Sequence, residues 1–451
     1  MLDTLSRIKG SIKLAAIVDA LGFITEFSKT PEALETKSGV KKIDKFHKWK
    51  NVQGRWGGLL EYSLPGTYSD DTQLTLAVAR SIQENGSIDQ EYFAKKELVT
   101  WWHYKGGAGY TISAAAQKIT RKSAKWNSNF YTYKRSNGTD RDYRDCAANG
   151  CAMRIAPIAL VQANDYDKMR ESIFGNAIVT HGHPRALAGA ILYGYALHKI
   201  LKTAPEDFTP DQLLSDISSN IGKILQLPFL SHNNFQVWVT KWNADGRDFS
   251  QEYDDTVEEV RAHLKIVSDN ISIGGSIQDL YNKMGSYKKP SKSNGTNTVI
   301  TALYVLCKYH NDPEAGIIDT VNMLGSDTDT IGAIAGGMLG GLHGEEIIPE
   351  KWKAVQDYKY LEVVGNRLSE IAAGTFSPPI PPAASGTCFN PGTDDFTLLS
   401  VNDRVTIDPL GDGRIIDITT REAKFKDRDK MHVRIKFTEG QTCTFSKFVP
   451  C

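Results

Sequence analysis

No excess of either charge runs through this chain: 53 Lys and Arg stand against 53 Asp and Glu. A neutral balance gives no global attraction to nucleic acid or to an acidic membrane, so any such attraction has to come from local patches. Cysteine is scarce and scattered. Cys146, Cys151, Cys307, Cys388, Cys443 and Cys451 form no C-x-x-C pair, which argues against a zinc knuckle or a redox dithiol and for reduced thiols in a cytoplasmic protein. No apolar run reaches the length of a membrane span. Residues 11–24 come nearest to a signal segment, but Asp19 interrupts them. The glycine-dense stretch KGGAGYTIS at 105–113 has no G-K-[ST] after it, which excludes a Walker loop. What remains is an ordinary globular balance, 41% hydrophobic and 24% charged over 451 residues, enough for one large core and a smaller domain.

The densest chemistry lies at 323–344, MLGSDTDTIGAIAGGMLGGLHG. Asp327 and Asp329 stand two apart among the hydroxyls of Ser326, Thr328 and Thr330. Acids spaced this way in an extended turn project to one side, as gripping a hard divalent cation requires. The run of small and apolar residues behind them predicts a tightly packed, buried helix. A helix cap would account for Asp327 alone, not for two acids on so apolar a stem. A second stretch, PGTYSDDTQLTLAVARSI at 65–82, repeats the theme. Ser69 suits the N-cap, Asp70 and Asp71 the first turn, and Leu74, Ala77, Val78 and Ile82 the buried stripe. If the two helix starts face each other, Ser69, Asp70, Asp71, Asp327, Asp329 and Thr330 make an oxygen-only cage, the ligand type of Mg, Mn or Ca rather than Zn.

This pair of motifs resembles the ADP-ribosylglycohydrolase family. The family pattern is a glycine-rich early helix ending in Glu, then [TS]-D-D-T-x-[ML], N-G-x-x-M-R-x-x-P and G-x-D-[ST]-D-[ST]. Here residues 10–27, 69–74, 149–157 and 325–330 match in that order. The resemblance covers about the first 370 residues and implies an all-α orthogonal helical bundle over residues 1–375. It implies two divalent cations, Mg2+ or Mn2+, on the six cage residues, with Glu26, Asp70, Asp71 and Asp327 in the chemistry. Its substrate would be an ADP-ribosylated protein or nucleic acid, its product free ADP-ribose, and no membrane is involved. Ser69 replaces the commoner Thr but keeps the hydroxyl. The family also contains members without hydrolase activity, so an ADP-ribose-binding or immunity protein is the alternative.

Further residues take roles from the resemblance. Gly106, Gly107 and Gly109 would approach the diphosphate through backbone N–H groups, with Asn149 and Gly150 holding pyrophosphate and ribose. His181 would face the ribose or phosphate side. Tyr143 has two readings, a ring stacked on adenine or plain surface packing. Glu26, read from the residues alone, is a solvated helix end; the resemblance places it beside the metals. Asp19, on a helix apolar all round, needs a buried partner. Arg154 is expected to anchor the fold through a buried ion pair, and Met153 to sit in the core. Residues 28–64, with Lys41, Lys42, Lys45, Lys48 and Lys50 among the rings of Phe46, Trp49 and Trp56, read as a loop over the site. Helices are expected at 90–103, opening after Asn149–Gly150, at 185–197 and at 294–309, with Asp254, Asp255, Glu258 and Glu259 as an acidic helix start.

Past residue 375 the pattern changes. Residues 376–395, with Pro378, Pro379, Pro381 and Pro382, read as a linker. Short β-branched and aromatic runs follow at 404–407, 413–418, 432–437 and 442–445. In the third, Val433, Ile435 and Phe437 alternate with His432, Arg434 and Lys436. The segment NDRV at 402–405 with GDGRIIDI at 411–418 resembles the opening hairpin of SH3-like or Tudor-like barrels, so residues 396–451 are expected to form a small β-barrel, an interaction module for a protein or nucleic acid or a packing module. Their ten Lys and Arg against eight Asp and Glu are too even to choose between those by charge.

Overall fold

The computed structural model describes residues 4–53, 59–135, 137–288, 291–378, 385–422 and 428–450. Trp56, Pro379, Pro381 and Pro382 lie outside them.

The first helix, Thr4–Thr25, is buried on nearly every face. Its partner is the small-residue helix Thr328–His343, buried along almost its whole length. Their backbones touch, and glycine makes this possible. A Cβ on Gly22 would stand 2.5 Å from the Thr328 carbonyl oxygen, and one on Gly340 would overlap the Gly10 carbonyl. Such contact leaves no room for a larger side chain. The Thr25 hydroxyl donates to Thr328 Oγ1 at 2.9 Å, and the Thr328 hydroxyl to the Gly22 carbonyl at 3.0 Å, locking the helix ends together. Helices Asp70–Arg80, Pro184–Leu201, Gly295–Tyr309 and Tyr358–Ala373 complete the packing around this pair.

Several expected elements differ in detail. Residues 28–64 hold the helix Pro31–Ser38 and a hairpin of β1 (Trp49–Gln53) and β2 (Leu59–Ser63). The helix expected over 90–103 is broken into Gln90–Tyr92, a π-turn Phe93–Glu97 and Leu98–Trp101. Asn149–Cys151 is a single 3-10 turn, and the α-helix starts only at Ala156. Asp254, Asp255, Glu258 and Glu259 sit inside the helix Phe249–Ser272, where Glu259 pairs with Arg185 at 2.7 Å. Arg154 is fully buried but has no carboxylate partner among the described residues. Its Nε and Nη2 donate to Asn176, its Nη1 to the Gly150 carbonyl, and it lies over the Phe93 ring.

A second small hairpin, β3 (Thr132–Lys134) with β4 (Asp140–Asp142), precedes the C-terminal sheet. That sheet runs in the order β5 (Thr387–Cys388), β6 (Arg404–Ile407), β7 (Gly411–Glu422), β8 (Arg428–Phe437), β9 (Thr442–Pro450), with only the β5–β6 pair parallel. Part of the stretch expected as linker therefore joins the sheet. β5 and β9 do not pair among the described residues, so the sheet stays open there rather than closing as the expected barrel. The alternation read in β8 holds in part: Val433, Ile435 and Phe437 are buried, Lys436 is exposed and Arg434 half-buried, but His432 is buried as well.

The sheet is docked on the helices through Asp357. This carboxylate accepts from Tyr68 Oη at 3.0 Å, from the Thr442 backbone N–H and hydroxyl, both at 2.7 Å, and from Lys436 at 2.9 Å. Arg80 adds Gln441 at 2.6 Å, and the Ser446 N–H reaches the His103 carbonyl.

Candidate active site

Two acidic helix starts face each other across the end of the first helix. Ser69 caps the first, its hydroxyl accepting from the Asp71 N–H at 3.1 Å. Asp19 holds the same turn from below. Its oxygens accept from the Ser69 N–H at 3.1 Å, the Thr72 N–H at 3.0 Å and the Thr72 hydroxyl at 2.5 Å. These donors are the partner its burial required. The second start differs. Asp327 occupies the N-cap position but makes no side-chain cap; its Oδ2 instead accepts from Asn149 Nδ2 at 2.9 Å. Asn149 also donates to Thr298 Oγ1 at 3.1 Å, which orients the amide.

Glu26, Asp327 and Asp329 each place a carboxylate oxygen within 4.8 Å of the others. Asp71 Oδ2 and Glu26 Oε2 are buried and have no hydrogen-bond partner among the described residues. Buried acceptors left bare are costly, and like charges this close shift one another's protonation. Burial, then Asp19, pushes Asp70 up to about 8. Burial first, and the neighbouring carboxylates second, push Asp71, Asp329 and Glu26 well above the carboxylate range. Orphaned acceptors in a cluster of mutually repelling acids fit hard divalent cations, which would supply the missing positive charge.

The glycine turn closes over this cluster. Gly107 has φ +86°, and a Cβ there would lie 3.1 Å from Asp70 Oδ1. Gln73 Oε1 fixes the turn by accepting from the Gly106 N–H at 3.2 Å and from Trp101 Nε1 at 3.0 Å. Gly109 is the N-cap of the helix Tyr110–Ile119 and is open to solvent. Gly150 and His181 lie deeper. A Cβ on Gly150 would meet Ile112, and His181 Cε1 is 3.2 Å from that position. His181 is fully buried, with Nδ1 2.8 Å from the Thr180 hydroxyl, and burial then Arg154 hold it neutral. It supports the Asn149–Gly150 turn from behind.

Tyr143 corrects the stacking reading and the surface reading alike. Its ring is fully buried against Phe130, its hydroxyl donates to the Ile178 carbonyl at 2.5 Å, and Trp238 Nε1 donates to that hydroxyl. No face is left for a base.

Lys37 was not foreseen. It returns on the helix Pro31–Ser38 to donate to the Glu26 carbonyl at 2.8 Å and lies over the Trp49 ring. Burial lowers it to about 8, with Glu26 and Asp329 pulling it upward. Only the lysine-and-ring composition of 28–64 hinted at it.

A helical fold carrying oxygen-only acids beside a glycine-rich turn fits a hydrolase, with carboxylates rather than thiols at its centre. The ADP-ribosylglycohydrolase family model matches residues 1–377, and the chain belongs to the ADP-ribosylglycohydrolase family, hydrolases of glycosidic ADP-ribose bonds. The chain is 24% identical over 382 residues to ADP-ribosylhydrolase ARH3 of Xenopus tropicalis, covering 81% of this chain and 95% of that protein. It is 22% identical over 371 residues to the ADP-ribosyl-[dinitrogen reductase] glycohydrolase of Rhodospirillum rubrum, covering 81% and 96%. In fold it is similar to a solved ADP-ribosylglycohydrolase-related protein complex, with TM-score 0.51, 20% identity, and coverage of 82% of this chain and 99% of that one. No helix among the described residues is long and apolar enough to cross a membrane.

Proposed function

We propose that the protein is a metal-dependent ADP-ribosyl hydrolase that cleaves the bond between C1″ of the distal ribose and a modified acceptor. The observation that carries this reading is the convergence of Glu26, Asp327 and Asp329, with a bare buried oxygen on Glu26 and another on Asp71 of the facing helix start. Two divalent cations, Mg2+ or Mn2+, held by Ser69, Asp70, Asp71, Asp327, Asp329 and Thr330, would neutralise the acids and anchor the ribose diol and the attacking water. In the reaction the water oxygen bonds to C1″, the C1″–acceptor bond breaks through an oxocarbenium-like state, and the acceptor leaves with a proton. Glu26 takes the water's proton. Its carboxylate oxygen lies within 4.8 Å of those of Asp327 and Asp329, beside the cations they would hold. Lys37 steadies Glu26 by holding its backbone carbonyl. Asn149 aims Asp327, and the N–H of Gly107 and those of the helix behind Gly109 suit the diphosphate.

Retention of Asp70, Asp71, Asp327 and Asp329 together favours turnover over a binding-only or immunity role. ADP-ribosylated protein or nucleic acid remains the substrate class, and a cytoplasmic site of action suits the free thiols. The test is release of free ADP-ribose from arginine-, serine- and nucleic-acid-linked substrates with Mg2+, Mn2+ or EDTA. Release that disappears with EDTA and in Asp327→Ala supports the hydrolase. Binding of ADP-ribose without release from any substrate supports the binding-only role.

A further inference from the structure

The family match ends at residue 377, yet two adjacent residues of the C-terminal sheet hold both ends of the helix that carries Asp70 and Asp71. That helix, Asp70–Arg80, has 11 residues and is about 16 Å long. Long side chains bring its two ends to one place. Tyr68, just before the Ser69 cap, reaches Asp357, which also accepts from the Thr442 backbone N–H and hydroxyl. Arg80, the last residue of the helix, reaches Gln441 Oε1 at 2.6 Å.

The start of the helix is gripped through a corner of backbone at 354–357. The Gln356 N–H donates to the Gly66 carbonyl at 2.9 Å, and Gln356 Nε2 donates to the Thr442 carbonyl at 3.0 Å. A Cβ on Gly66 would stand 2.6 Å from the Ala354 carbonyl oxygen, so the chain before Ser69 lies against this corner backbone to backbone. Asp357 sits at the corner with φ +58°, a left-handed conformation that Asp and Asn tolerate. Its side chain is 2% exposed, and a carboxylate so buried needs donors. Thr442 gives two and Lys436 one from the sheet, and Tyr68 gives one from the helix start, with Gln356 Nε2 at 3.4 Å beside them.

The far end is held as firmly. Buried Glu97 takes Arg80 Nε and Nη2 at 2.8 and 2.7 Å, a two-point contact that fixes the guanidinium plane and leaves Nη1 for Gln441. Gly440, one residue before, has φ +115°, and a Cβ there would lie 3.1 Å from Tyr360 Cβ, so the β8–β9 turn sits directly on the helical surface. Docking alone does not require these partners. Asp408 already ties the sheet to Lys96 at 2.6 Å and to the Thr100 hydroxyl at 2.9 Å, and neither contact bears on an acid of the cluster. The Tyr68 link does. With Asp19 on the Ser69 N–H and Asp357 on the Tyr68 hydroxyl, the turn before Asp70 is fastened at two successive residues.

We propose that the C-terminal sheet is a positioning module for the cation site, and that Asp357 is the positioning residue through which it acts, setting the turn that aims Ser69, Asp70 and Asp71. The proposal rests on the cation reading above, but the clamp is tested apart from any bound metal.

The experiment uses the full chain and its Asp357→Asn, Tyr68→Phe and Thr442→Val variants, with Thr442→Ser as the conservative rescue and Lys96→Ala as a cut elsewhere in the interface. Asn keeps the left-handed backbone, Phe keeps the ring and Val keeps the shape, so each removes the link and leaves the packing. Hydrogen exchange of metal-free protein is read by mass spectrometry at residues 66–75 and, for comparison, at residues 326–335. Each of the three variants is expected to speed exchange at 66–75 about tenfold and to leave 326–335 unchanged. Mn2+ should bind about tenfold more weakly to each, while Thr442→Ser and Lys96→Ala bind it as wild type does. Asp357→Asn combined with Tyr68→Phe should lose no more than either alone, because both cut one link. Unchanged exchange at 66–75, or equal acceleration at both helix starts, would overturn the proposal, and so would undiminished Mn2+ binding in the three variants. Acceleration confined to 66–75, in a protein whose wild type binds no Mn2+, would sustain the clamp and refute the cation reading.

Discussion

The two acidic helix starts look alike in sequence and are built differently. Asp70 and Asp71 are set by hydrogen bonds: Ser69 caps the turn, and Asp19 gathers the Ser69 and Thr72 donors beneath it. Asp327 and Asp329 are set by backbone packing, with Gly22 admitting the Thr328–Asp329 backbone against the first helix and a single side chain, Asn149, aiming Asp327. One helix, Thr4–Thr25, therefore positions both halves, by a carboxylate at Asp19 and by the lack of a side chain at Gly22.

That contrast predicts different failures. Gly22→Val should do most harm, because its side chain collides with backbone that has nowhere to go. The expected loss is about 3 kcal/mol or more of stability, measured by urea unfolding, together with loss of divalent binding. Wild-type-like stability would break the packing half of the comparison. Asp19→Asn should cost about 2 kcal/mol, since an amide brings donors to face donors, and should impair the Asp70 side while leaving the Thr328–His343 helix packed. Asn149→Ala should leave stability within about 1 kcal/mol but lower activity roughly 10- to 100-fold, the usual cost of losing a group that orients a ligand. A loss of stability larger than the loss of activity would assign Asn149 a structural role instead.

The smallest effect expected is on pH. An acid whose folded-state pKa is raised weakens the fold as pH climbs from its unfolded value, near 4, to its folded value, because the unfolded chain gives up the proton first. Asp70, at about 8, spans that window. The melting temperature of metal-free protein should fall by roughly 2–4 °C between pH 5 and pH 8, and added Mg2+ should restore more of it at pH 8 than at pH 5. A metal-free melting temperature that rises steadily over that range would contradict the cluster's repulsion.

Much of this was legible in the sequence, for identifiable reasons. The cage residues carry their own signal, two acids with hydroxyls at a helix start, and both starts fold as read. The small-residue stem predicted close packing, and the Gly22 and Gly340 contacts supply it. Asp19 announced itself as a buried charge needing donors. Other features depend on tertiary placement that no local pattern encodes. Tyr143 stands near a polar motif, but only the fold decides that its hydroxyl points at the Ile178 carbonyl. Arg154 was expected beside a carboxylate, and carbonyl and amide oxygens serve instead. Lys37 reaches Glu26 only because the Pro31–Ser38 helix doubles back. The sheet's period was readable, but its open pairing and its anchorage at Asp357 arise from contacts some 85 residues apart.

On the proposed reading the two acidic starts form one cation site. Mn2+ binding, followed by electron paramagnetic resonance on wild type, Asp71→Ala and Asp327→Ala, is the test of it. Each substitution, though on a different helix, is predicted to weaken the same Mn2+ signal by at least about tenfold. Undiminished Mn2+ binding after removal of either acid, in a variant that remains folded, would contradict the account.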